Sequence, residues 1–368
     1  MNVPFFDYPK LYISHKLKFD QIFSQIAKRG SFIMQDDLEK FEKKLSNYHD
    51  ISYSIGVGNA TDAMQLLLKA DNIGSNDEII FCSHTMTATA SAIKFTGAKP
   101  VAINCNNEFL MDYKEIESKI NSRTKGIFVT QLNGRIADME EICEIAKKNN
   151  LKIYEDSAQA IGSKYQNKSA GSFGVGGCIS FYPAKVLGCF GDGGAVVTNN
   201  KKIFKKIMLL RDHGRKSIEV VKYWGFNSRL DNIQAGILNF LLTKIKKNIQ
   251  HRRNIAKVYF EEFSQNPYIK CPPNNLVENN RFDNYQNFEV QCENRDNLRK
   301  FLSNNKIGTI LPWGGKAVHE YKNLGCNTKN LKFTEKIMRK SLLLPMNQFM
   351  SLIQAKYVAK KINLFYKI

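Results

Sequence analysis

The sequence predicts an α/β protein built on a mostly parallel sheet with helices on both faces. Three observations carry that prediction. Strand-like and helix-like runs alternate from Tyr53 onward, the pattern of repeated strand–helix–strand units. The chain has 368 residues, 43% hydrophobic and 24% charged, enough for a large core and two domains. A glycine-rich run from Ser180 to Ala195 sets one lysine, Lys185, at a tight turn between two apolar strands.

Taken in order, residues 1–35 mix aromatic and basic side chains and lead into a polar helix from Asp36 to Tyr48. Tyr53 to Val57 reads as a strand. Thr61 to Ala70 reads as a helix, with Ala63, Leu66, Leu67 and Ala70 on one face. Glu78 to Cys82 is a strand and Thr87 to Thr96 a helix. Pro100 to Ile103, Gly126 to Thr130 and Lys152 to Glu155 are strands, with a helix from Asp138 to Asn149 before the last. Strands from Cys178 to Tyr182 and from Ala195 to Thr198 follow so closely that they need not be parallel. Ile233 to Tyr259 reads as one long helix or a helix pair. Pro272 through Asn280 reads as a polar loop. A strand from Gln286 to Gln291 and helices from Arg295 to Asn304 and Ser351 to Phe365 complete the chain. The expected division is a large domain over 1–245 and a smaller α+β domain over 246–368.

The formal net charge is +20, but only 12 of the 54 basic residues are arginine, and the lysines are spread along the whole chain. No arginine-rich stripe or nucleic-acid signature accompanies them, which argues against a nucleic-acid partner. Such a surface would steer anionic substrates. The eight cysteines and six histidines lack metal-ligand spacing, so the chain reads as metal-free with free thiols. No apolar stretch reaches the ~18–20 residues that span a bilayer. Met1 to Pro9 has no secretory pattern. A cytoplasmic protein without a membrane partner is the expectation.

A lysine at the glycine-rich turn is placed to form a Schiff base with an aldehyde cofactor, a known role for a lysine with a lowered pKa. Upstream, Tyr154-Glu155-Asp156-Ser157-Ala158-Gln159 puts an acid at a strand end. Pyridoxal phosphate needs such an acid against its ring nitrogen. Ala60 and Thr61 open a helix after a strand, and the backbone amides there make an anion site.

Five runs in order resemble the DegT/DnrJ/EryC1/StrS sugar aminotransferases, a branch of the fold-type I pyridoxal-phosphate enzymes. They are Val57 to Ala63, Leu132-Asn133-Gly134 with Ala137-Asp138-Met139, Glu155 to Gln159, Ser180 to Ala195, and Gly225 to Ala235. The resemblance implies a large domain with a seven-stranded, mostly parallel sheet and a smaller C-terminal domain. It implies pyridoxal 5'-phosphate held by Lys185, which is also the catalytic base, with Asp156 on the ring nitrogen. Gln159 would bond the phenolic oxygen or stack near it. Ala60, Thr61 and Ser180 would bind the phosphate, joined by Asn227 from a neighbouring subunit of a homodimer. Met86 stands where relatives carry a ring-stacking aromatic; a thioether can cover a ring face, and core filling is the other reading. Arg229 would contact a nucleotide diphosphate or the donor carboxylate, with a surface ion pair as the alternative. Gly30 and Phe32 fall where relatives hold the nucleoside. The run Thr309 to His319 departs from the family pattern, leaving Trp313, Lys316 and His319 as this chain's own candidate substrate contacts.

The implied activity is transfer of an amino group, with glutamate as donor, to a nucleotide-linked keto sugar, 3-keto in preference to 4-keto. The amino sugar would feed a surface polysaccharide such as O-antigen or lipopolysaccharide. The alternatives are a dehydratase of the same fold, in which histidine replaces the lysine, and a non-catalytic regulatory or sensor protein. The regulatory reading predicts loss of Lys185 or Asp156, and both are present.

Overall fold

The computed structural model describes residues 1–276, 280–326 and 330–368. The part of the Pro272–Asn280 loop at 277–279 lies outside the described residues. Seven strands form the main sheet: β1 (Tyr53–Val57), β2 (Glu78–Cys82), β3 (Lys99–Ile103), β4 (Thr124–Thr130), β5 (Lys152–Asp156), β8 (Gly176–Ser180) and β9 (Gly194–Thr198). A small hairpin, β6 (Lys164–Tyr165) and β7 (Lys168–Ser169), interrupts the series. The order across the sheet is β1-β9-β8-β5-β4-β2-β3. β9 pairs antiparallel with both β1 and β8, and the remaining pairs are parallel. One reversed strand therefore sits in an otherwise parallel sheet. The main strands are almost wholly buried, as layers on both faces require. Helices Ala60–Ala70, Thr87–Phe95 and Lys201–Leu210 pack through one core, while helix Met139–Lys148 packs through another.

The carboxyl ends of β1, β2, β4, β5 and β8 all emerge on one edge of the sheet, as does the start of the reversed β9. In open α/β sheets ligands bind at that edge. Gly194 opens β9 against the turn after β1: an added Cβ would come within 2.4 Å of the Asn59 carbonyl carbon. Only glycine allows this close approach.

A second, three-stranded sheet, β10 (Ile269–Lys270), β12 (Phe288–Cys292) and β13 (Ser341–Leu344), runs in the order β10-β12-β13 and is covered by helices Ile245–Glu262, Arg295–Asn304 and Leu352–Phe365. Ser351 and Gln354 form a capping box at the start of the last helix. β11 (Arg281–Phe282) instead extends the β6–β7 hairpin. Val3 bridges Ile307 and is buried in this second core, so the start of the chain packs with its end.

The structure differs from the reading in a few places. Residues 1–35 contain two helices, Tyr8–Ile13 and Lys16–Arg29; the second buries Phe19, Ile22 and Ile26, a helical spacing hidden among lysines. Helix Lys201–Leu210 buries Ile203, Ile207 and Leu210 in the same way. The strand expected at 178–182 is shifted to 176–180, because Tyr182-Pro183 already belongs to the turn while Gly176 and Gly177 open the strand as buried positions. Of the two readings of Ile233 to Tyr259, the structure has the helix pair, broken at Leu242–Lys244. β13 is a four-residue apolar run too short for periodicity to identify.

Candidate functional site

Lys185 lies in the loop between β8 and β9. Its backbone N–H donates to Tyr182 O at 2.9 Å, and Cys189 N–H donates to Phe181 O at 2.8 Å, which closes the loop on itself. Gly188 permits the turn, since a Cβ there would meet Pro183 O at 2.6 Å. The Gln286 amide grips the loop on both sides of the lysine: its Oε1 accepts from Val186 N–H at 2.8 Å and its Nε2 donates to Ala184 O at 3.0 Å. The side chain keeps part of its surface toward the cleft, yet protein packs densely around it. Burial pushes the amine down to about 8, partly offset by the Asp156 carboxylate. At pH 7.5 roughly a quarter of such an amine is uncharged, against about one in a thousand for an ordinary lysine.

Asp156 ends β5 and is 5% exposed. Burial pushes its carboxyl above the usual range, opposed by hydrogen bonds from Thr89 and Ala158 and by the Lys185 charge. Thr89 Oγ donates to Oδ2 at 2.7 Å, and Ala158 N–H reaches Oδ1 at 3.2 Å. A buried acid with this history gains from a cationic N–H partner such as a pyridinium. Gln159 accepts from Asn133 N–H at 2.7 Å through its Oε1.

Ala60 and Thr61 begin an 11-residue helix capped by Asn59, whose side chain accepts from Asp62 N–H at 2.8 Å. The first intrahelical bond runs from Ala63 to Asn59, so the amides of residues 60 and 61 remain for an anion. Ser180 stands beside them at the end of β8. Ser228 braces this cup: its Oγ donates to Asp62 Oδ2 at 2.6 Å and accepts from Gly58 N–H at 3.0 Å.

These groups line one cleft of about 390 Å3, which contains Ala60, Thr61, Met86, Asp156, Gln159, Ser180, Lys185 and Trp313. Met86 is 52% exposed and lines the cleft instead of filling the core. Trp313 is half-buried in the wall. The other candidates lie elsewhere in this chain. His319 is tied to Ser83 Oγ at 2.7 Å and to Glu335 at 3.4 Å. Lys316 is exposed beside the Tyr321 ring. Gly30 ends a helix in the left-handed conformation, and Phe32 is a surface side chain. Asn227 is exposed, and Arg229 pairs with Asp212 at 2.9 Å.

Sequence reasoning missed Phe5, Phe6 and Tyr8, which wall the cleft from the start of the chain, and Gln286, Asn287, Ile310 and Leu343 from its end. No local pattern marks them, because they reach the cleft through packing of distant segments. A larger groove of about 850 Å3 bordered by Tyr48, Lys164, Lys246 and Arg253 contains none of the candidate residues.

The residues present fit pyridoxal phosphate. A lysine with a lowered pKa, a buried acid and a helix-end anion cup face one cavity of suitable size. Comparison with known proteins points the same way. The model of the DegT/DnrJ/EryC1/StrS aminotransferase family matches residues 14–363. The chain is 33% identical to the "Pleiotropic regulatory protein" of Geobacillus stearothermophilus, over 100% of this chain and 99% of that one. It is 34% identical to the dTDP-3-amino-3,6-dideoxy-alpha-D-galactopyranose transaminase of Aneurinibacillus thermoaerophilus, over 98% of this chain and 99% of that one. Among solved structures, S. venezuelae DesV in complex with a ketimine intermediate superposes with a TM-score of 0.95 at 31% identity, covering 100% of this chain and 99% of that chain.

Proposed function

The chain belongs to the DegT/DnrJ/EryC1/StrS aminotransferase family, and from that premise we propose that it transfers an amino group from glutamate to a nucleotide-linked keto sugar. It is a pyridoxal-phosphate-dependent aminotransferase, with the fold of fold-type I enzymes. The observation that carries the reading is the Lys185 amine, lowered to about 8, facing the buried Asp156 at the sheet's carboxyl edge.

When bound, pyridoxal phosphate supplies an aldehyde that takes up the amino group and a ring that withdraws electrons from the breaking C–H bond. Lys185 anchors it through Nζ. The same Nζ, lowered toward neutrality, would take and return a proton at the substrate carbon. Asp156 holds positive charge on the ring nitrogen, and Thr89 and Ala158 keep the carboxylate aimed. The amides of Ala60 and Thr61, with the Thr61 and Ser180 hydroxyls, hold the phosphate. Gln159 would offer a donor to the phenolic oxygen, and Met86, which lines the same cleft, would cover a ring face.

Both substrates are anionic, whereas among the described residues Lys185 is the one cation lining the cleft. Further cations have to come from outside this wall. Asn227 and Arg229, on the surface in this chain, are assigned to the cleft of a second copy, making the working unit a homodimer. Residues 1–245 and 246–368 are taken as its two domains, supported by a C-terminal core that collects residues between Ile255 and Ile362 together with Val3, while Val318, Cys326 and Leu331 reach across into the core of the first. A 3-keto substrate is favoured over a 4-keto one by the 3-amino sugar in the name of the Aneurinibacillus relative. A cytoplasmic enzyme supplying surface polysaccharide is the setting that fits these substrates. Among the described residues no helix is long and apolar enough to cross a membrane.

The test is an assay of 3-keto and 4-keto sugar nucleotides with glutamate, scoring amino sugar and 2-oxoglutarate together. Turnover of no keto sugar nucleotide by cofactor-loaded protein refutes the substrate class; turnover confined to 4-keto sugars refutes the preferred position.

A further inference from the structure

Behind the cleft lies a buried ion pair. His84 and Glu289 are 1% and 2% exposed, and His84 Nε2 stands 3.2 Å from Glu289 Oε1. Burial alone would discharge the imidazole; the facing carboxylate outweighs it and raises the ring to about 10. Burial also opposes the charge on Glu289, and His84, Ser341 and Asn133 together hold its carboxyl below the usual range. Apolar residues of similar size would serve stability about as well as such a pair. What the pair holds is therefore more informative than its strength.

Glu289 Oε1 accepts from Ser341 Oγ at 2.5 Å, and its Oε2 accepts from Asn133 Nδ2 at 2.6 Å. Asn133 Oδ1 accepts from Asn287 Nδ2 at 3.0 Å. Both ends of the Asn133 side chain are thus clamped by the C-terminal part of the chain, while its backbone sits in the left-handed region at φ 60°. That clamped residue aims its backbone N–H at Gln159 Oε1, 2.7 Å away. A backbone N–H can only donate, so this bond decides which end of the Gln159 amide is which. The NH2 end is left as the donor available to the cleft.

We propose that the buried His84–Glu289 pair is a positioning device for the cofactor, acting through Asn133 to hold the Gln159 amide donor against the phenolic oxygen. The inference rests on the pyridoxal-phosphate reading of the cleft and on the place given there to Gln159. Losing a donor raises the proton affinity of an anionic oxygen.

The test compares Glu289→Gln, Gln159→Ala and the double variant as reconstituted holoenzymes. Two quantities are read besides turnover: the pH midpoint of the visible absorption band and the cofactor dissociation constant. Each single variant should move the midpoint upward and weaken cofactor binding about tenfold. The double variant should go no further than Gln159→Ala alone. Ser341→Ala removes one donor to Glu289 without changing charge, and should shift both readouts the same way by a smaller factor; it stands in if Glu289→Gln does not fold. No visible band in the wild-type protein sinks the cofactor reading itself. A wild-type band that the Glu289 or Ser341 variant leaves in place, or an equal further shift in the Gln159→Ala background, overturns the inference.

Discussion

Replacing Asp156 with asparagine should move two steps in opposite directions, cofactor capture and the half-reaction with glutamate. Burial lowers the Lys185 amine to about 8, and the Asp156 charge works against burial. Removing that charge at nearly constant shape lets burial act alone, so the amine falls further, by about one pH unit. At pH 7 its uncharged fraction rises from roughly a tenth to roughly a half, about fivefold. The uncharged amine is the nucleophile, so covalent capture of pyridoxal phosphate by the apo protein should become faster near neutrality. The loaded variant should behave oppositely. Without a carboxylate the ring nitrogen loses the partner that keeps it charged, and the half-reaction with glutamate should slow by at least about a hundredfold. The assay is stopped-flow growth of the visible band on mixing apo protein with cofactor across a pH series, followed by glutamate-driven bleaching of that band. A capture profile that stays in place or moves to higher pH refutes the electrostatic account of Lys185. Bleaching at close to the wild-type rate refutes the role of Asp156.

Lys185→Met removes a buried amine, and the apo protein should gain about 1–3 kcal/mol at pH 7. The lowered folded-state value means that the wild-type fold gains stability as pH rises from about 8 to 10.5; thermal melts should therefore show the variant's advantage shrinking over that window, and a constant difference would contradict it. Gly194→Ala drives a Cβ into the Asn59 carbonyl and should cost about 1–3 kcal/mol together with phosphate affinity, measured by melts and by titration with inorganic phosphate; an unchanged protein would rule out the tight cup. Gln286→Ala frees Ala184 O and Val186 N–H on either side of Lys185 and should speed cofactor loss about tenfold, followed by dialysis and the visible band. Mixing inactive Lys185→Ala chains with inactive Arg229→Ala chains should restore part of the activity, because one site of the mixed dimer would have both residues; absence of rescue despite proven subunit exchange would refute the shared site.

Much of this site is written locally. Asp156 and the Ala60–Thr61 cup lie at strand ends and Lys185 in the loop after one, and their signals are short: a glycine-rich turn, an acid closing a strand, a small residue and a hydroxyl opening a helix. Short apolar runs for the strands and a 3.6-residue spacing for the helices placed those elements within a few residues, because the burial of each is printed in its own sequence. The reversed β9 was left open in the sequence for a related reason: two strands in quick succession limit the connection without choosing its direction. What tertiary structure alone decided is the company these groups keep. Gln286 grips the Lys185 loop from a hundred residues away, Ser228 braces the helix start at Asp62, and Phe5, Phe6 and Tyr8 wall the cleft from the start of the chain. His319, a candidate by position, turns instead to Ser83 and Glu335. A polar side chain's partner is set by which groups meet it when the two cores close and water is expelled, and that encounter leaves no periodic trace in the residues on either side of it.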